Sequence, residues 1–161
     1  VVCHDADEAG CQAALGHEGG LGAKQRKMFE GKLGEKLVKH LLKLSGLPFQ
    51  EDKSSHTEAD TYDFIFPNGR TLDVKTRTQN FHTRTLEMKE QLQRSPKDIY
   101  VSVRLFPESY EGFVVGWASS QDFLRVNRIE NNGYLDNYVL FDNELRTWER
   151  LMELLSELKS T

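Results

Sequence analysis

Cysteine is nearly absent from this 161-residue chain: Cys3 and Cys11 are the only two. A pair by itself builds neither a disulfide framework nor a complete zinc site, which points to an intracellular, reducing compartment. Long apolar runs are missing as well. No stretch approaches the roughly 18 residues that a membrane span requires, and no signal peptide is visible, so a cytoplasmic protein is expected. No Gly-rich phosphate loop, no Ser-His-Asp set and no Cys-His nucleophile can be assembled, and His40, His56 and His82 lack metal-ligand spacing. The chain starts at Val1 rather than Met, which suggests a processed start or excision from a longer parent.

A basic excess is also lacking, since the net charge is −4. The average conceals a segregation. Between 24 and 43 there are seven Lys/Arg against Glu30 and Glu35, and between 75 and 97 six against Glu87 and Glu90. Four acids and no Lys or Arg occupy 1–23, and seven acids against three bases occupy 130–161. A basic middle between acidic ends can still present a positive face to phosphates.

The length favours one main domain. The run 16–22, Gly-His-Glu-Gly-Gly-Leu-Gly, reads as a hinge between a leader (1–22) and a domain over 23–161. From 24 to 44 the spacing of Phe29, Leu33, Leu37, Leu41 and Leu44 predicts a helix, with Lys32, Lys36, Lys39 and Lys43 on another side. Ser45-Gly46-Leu47-Pro48 ends it. Strands are predicted over 62–66 and 71–75, joined by Pro67-Asn68-Gly69-Arg70, whose Asn-Gly pair signals a hairpin. A short polar helix is expected over 84–94, strands over 99–106 and 112–118, and a serine-capped helix over 120–126. A strand over 138–141 and a helix from about Asn143, burying Trp148, Leu151, Met152, Leu155 and Leu158, complete the pattern. The expected class is α/β (α+β), a mixed sheet covered by helices. Tyr100, Phe106, Phe113 and Trp117 read as core rather than as base-stacking residues.

The chemistry concentrates on the hairpin. Asp73 and Lys75, two apart on a strand, project from one face, and Asp63 lies on the facing strand. Converging carboxylates call for a cation, and magnesium suits oxygen ligands while retaining water. In the helix before them, Gly31 and Gly34 would allow close approach to the sheet. Glu35 lies at the border of the apolar arc, with Glu30 as its competitor.

The order G-x-x-G-E on a helix, an aspartate on a strand and D-x-K on the next resembles the PD-(D/E)xK nuclease superfamily, over roughly 31–118. That superfamily includes restriction endonucleases, junction resolvases and some homing and phage repair nucleases. The resemblance implies a restriction-endonuclease-like core and a magnesium-dependent (or manganese-dependent) endodeoxyribonuclease. Asp63 and Asp73 would be metal ligands and Lys75 the catalytic lysine. Glu35 would be the helix acid, and the Val74 carbonyl would also face the metal. The first-motif aspartate follows Tyr62 rather than proline, and Asp73 stands where glutamate is the alternative. Arg77, Gln79, Arg84 and Lys89 are the expected DNA contacts, and paired cuts would call for a homodimer or homotetramer. The rival reading is a non-catalytic nucleic-acid-binding or assembly module on the same fold. Separately, Val1-Val2-Cys3-His4-Asp5-Ala6-Asp7-Glu8-Ala9-Gly10 resembles part of a Toprim motif, in which Asp5 and Asp7 would bind magnesium. An acidic leader is the simpler reading.

Overall fold

In the computed structural model, residues 22–52 and 62–157 are described. The Toprim-like segment, both cysteines and His56 lie outside them. The elements are α1 (Ala23–Leu44), β1 (Gln50–Glu51), β2 (Phe64–Ile65), β3 (Thr71–Arg77), β4 (Arg84–Met88), α2 (Lys89–Arg94), β5 (Ile99–Phe106), β6 (Glu111–Ala118), α3 (Ser120–Val126), β7 (Ile129–Asn132), β8 (Leu135–Phe141), a 3-10 turn (Asp142–Glu144) and α4 (Trp148–Glu157). The class is mixed α+β, a mixed central sheet flanked by helices, as expected.

Two sheets form. The larger has the order β1-β2-β3-β5-β6, and the smaller β4-β8-β7. Strands β3 and β5 run parallel, while every other pairing is antiparallel. A parallel neighbour cannot be reached by a tight turn, so the chain crosses over between them. That crossover carries β4 and α2. Here the structure corrects the helix expected over 84–94. Its first half is a strand paired with β8, because Thr85 and Glu87 turn inward and Arg84 outward. The inward residues are polar, which disguises the two-residue period. Strands β1 and β7 were also not foreseen.

Alternation along β3 and β5 assigns their faces. One carries Leu72, Val101 and Val103 against Leu37, Val38 and Leu42 of α1, all essentially buried. Burying such a side chain stabilises the fold by about 1.5–3 kcal/mol. Gly34 makes this packing feasible, since a Cβ there would fall 1.9 Å from Thr76 Oγ1. Gly31, expected to share that role, has open space around it. The other face of β3 carries Asp73, Lys75 and Arg77 towards the smaller sheet. Helix α1 ends as predicted, with Ser45 N–H donating to the Leu41 carbonyl and Gly46 at φ +72°. The cap of α3 is Ser119, whose Oγ accepts from Asp122 N–H while Asp122 Oδ2 accepts from Ser119 N–H. Among the described residues no helix is long and apolar enough to cross a membrane.

Candidate active site

The site begins with the hairpin turn. Phe66 N–H donates to the Arg70 carbonyl and Gly69 N–H to that of Phe66, with Gly69 at φ +85°, a conformation glycine adopts without penalty. This turn sets the register Phe64↔Leu72 and Ile65↔Thr71. One step further, Asp63 lies just before β2. There the ladder changes character: Asp63 N–H donates to the Leu72 carbonyl (3.0 Å), and Val74 N–H donates to Asp63 Oδ2 (2.7 Å). The side chain thus substitutes for a backbone acceptor, which fixes its rotamer beside β3.

Asp63 and Asp73 are close enough for the Asp73 carboxylate to act on the Asp63 carboxyl. Burial, then the charges of Asp73 and Glu35, push Asp63 from the ordinary carboxylate range up to about 9. A proton on Asp63 therefore relieves the repulsion between the pair. Glu35 is felt by Asp63 across space, while its carboxylate pairs with Lys32 at 3.2 Å. That places Glu35, rather than Glu30, among the charges acting on the site.

Lys75 Nζ lies 2.9 Å from Asp73 Oδ2 and 3.2 Å from Glu87 Oε2, and 5.7 Å from the centre of the Tyr100 ring. Burial disfavours its ammonium, but the two carboxylates outweigh this and raise its pKa, so Lys75 is a permanent cation. Sequence reasoning did not single out Glu87. The only sequence signal for it is an acid at an inward position of an alternating stretch, and that stretch reads as helix.

Among the described residues, no group of three or more His, Cys, Asp or Glu side chains could hold a metal. A cation at Asp63 and Asp73 would draw its remaining ligands from backbone, water or substrate, as magnesium commonly does.

The expected DNA contacts are placed unevenly. Arg77 is buried, donating to both carboxylate oxygens of Asp142, to the His82 carbonyl and to Ser102 Oγ. Its guanidinium is engaged inward, so it does not present a phosphate contact at the surface. Arg84 is exposed and pairs with Glu130, Gln79 is exposed, and Lys89 is half-buried at the start of α2. Lys32, Lys36 and Lys43 of α1 are exposed. Of the aromatics, Tyr100 and Trp117 are core, and the Trp117 Nε1–H donates to the Thr147 carbonyl. Phe113 is exposed and stacks on Phe106.

Fold and site define a mixed α+β protein with a carboxyl pair and a lysine on one hairpin. In sequence, no protein-family model matches the chain and no curated protein matches it.

Proposed function

We propose that the chain is a magnesium-dependent endonuclease that hydrolyses phosphodiester bonds in DNA at Asp63, Asp73 and Lys75. One observation carries this reading: the Asp63 carboxyl, anchored by the Val74 N–H at 2.7 Å, stands beside that of Asp73, with the Lys75 ammonium 2.9 Å from Asp73 Oδ2. The donor set fits magnesium, because hard oxygens converge where the protein alone must place a proton. The Val74 carbonyl and water would complete the set, with Glu35 acting through water.

Bound there, magnesium would polarise a phosphoryl oxygen and lower the pKa of water at the site. The residues would do the rest. The Val74 N–H holds Asp63 in place, so the pair is preorganised before substrate arrives. Lys75 keeps its charge at all working pH values and would stabilise the negative charge that grows on the phosphoryl oxygens. The exposed lysines of α1, with Arg84, Lys89 and Gln79, would hold the DNA backbone without reading its sequence.

The test is a cleavage panel of duplex, single-stranded, flap and four-way-junction DNA, with and without magnesium or manganese. Metal-dependent cutting is expected, and Lys75→Ala should reduce kcat by about 100-fold or more while DNA affinity stays within about two-fold. Cleavage by Lys75→Ala at the wild-type rate would remove Lys75 from the mechanism. Binding without cleavage of any substrate would identify a non-catalytic module instead.

A further inference from the structure

The lysine of the site is held from two sheets at once. Asp73 reaches it along β3, and Glu87 reaches it from β4 of the smaller sheet. Glu87 is 5 % exposed, and its Oε1 also accepts from the Met88 N–H at 2.9 Å, which fixes the carboxylate. A buried carboxylate in mid-strand is a poor choice for packing alone, since an apolar residue of similar volume often serves stability as well or better. The geometry gives it another task.

We propose that Glu87 is a positioning residue: it shares the Lys75 ammonium with Asp73 and so leaves the Asp73 carboxylate available, with Asp63, to a divalent cation. This rests on the cation reading of the Asp63–Asp73 pair. With Glu87 present, the ammonium divides its donors between two carboxylates at 2.9 and 3.2 Å. With Glu87 neutralised, Asp73 is the one anionic partner left of the two. The Lys75–Asp73 pair then tightens, and a cation approaching Asp73 must displace a stronger competitor. Glu87 would also set where the ammonium meets substrate, because a lysine tethered at one point swings on a flexible stem whereas one tethered at two does not.

A double-mutant cycle read by manganese binding tests this without any cleavage. Mn2+ affinity is measured by electron paramagnetic resonance on the full chain in the absence of DNA, for wild type, Glu87→Gln, Lys75→Met and the double variant. Glu87→Gln should weaken Mn2+ binding by about five-fold when Lys75 is present and by less than about two-fold when it is Met, a coupling in the range expected of groups in contact. Equal weakening in both backgrounds would mean that Glu87 acts only as one more negative charge, and would overturn the proposal while leaving the cation site standing. Wild-type protein that binds no Mn2+ would overturn the cation reading and this inference with it. Should Glu87→Gln fail to fold by circular dichroism, Glu87→Met, which keeps the volume without the charge, completes the same cycle. Where cleavage is observed, Glu87→Gln should lower kcat by about ten-fold with KM for DNA within about two-fold, because Lys75 is misplaced at the reacting phosphate rather than lost from the binding surface.

Discussion

Asp63 concentrates the electrostatics of the site in one side chain. Its carboxyl is pushed up to about 9 by burial first, then by Asp73 and Glu35. The sign for stability follows. A folded-state pKa above the unfolded value means that the folded protein holds a proton the unfolded chain releases. That contribution is fully present below about pH 4 and is lost as pH rises through about 9. Metal-free protein should therefore lose stability across this window. Asp63→Asn, which needs no proton, should melt about 3 °C or more above wild type at pH 8 without metal, on the scale by which 1 kcal/mol moves a domain of this size. Magnesium should raise the wild-type Tm at that pH and leave Asp63→Asn nearly unmoved. Scanning calorimetry at pH 5 and pH 8 checks both, and a variant less stable than wild type at pH 8 would contradict the assignment.

Among the elements, α1 and β3 are matched by one missing side chain. The nearest atom to a Cβ on Gly34 would be Thr76 Oγ1 at 1.9 Å, and Thr76 Cβ lies at 3.1 Å. Gly34→Ala must displace the Thr76 side chain or the helix itself, at about 1–3 kcal/mol. Gly31→Ala, with open space around it, should instead stabilise by about 0.5–1 kcal/mol through helix propensity. Thr76 Oγ1 is buried without a hydrogen-bond partner. Thr76→Ala should therefore rescue much of the Gly34→Ala loss by removing the atom in the way. Urea unfolding of the three variants and the double variant decides this, and simple additivity would mean that the helix and sheet do not meet as described.

At the scale of the whole fold, and among the described residues, two ion pairs tie the larger sheet to the smaller one and its following turn: Lys75 with Glu87, and Arg77 with Asp142. The Arg77 pair spans sixty-five residues of chain. Removing a buried cation from bonded acceptors leaves them unsatisfied, although partial exposure of Asp142 softens the penalty. Arg77→Ala should thus destabilise by about 2 kcal/mol and melt the two sheets together. Arg84→Ala, at the surface, should barely change stability. If the chain binds DNA as proposed, Arg84→Ala should flatten the salt dependence of affinity by about one unit in the log–log slope. Calorimetry for the first and binding isotherms at several salt concentrations for the second separate the two roles. An Arg77→Ala protein with unchanged Tm would place that guanidinium outside the core.

Residue spacing alone carried α1, the Asn-Gly hairpin, β5 and α3, because each has a period or a turn signal written within a few positions. The same locality put Asp73 and Lys75 on one face, with Asp63 across the turn from them. What tertiary packing decided is which charges answer one another. Arg77 follows Lys75 by two residues and reads equally well as a phosphate contact, yet Ser102, Asp142 and the His82 carbonyl claim it. The stretch from 84 to 94 reads as helix, yet pairing with β8 makes its first half a strand and brings Glu87 to Lys75. A polar residue can turn inward wherever a partner of opposite charge waits, and that partner arrives from a distant part of the chain that no local period records.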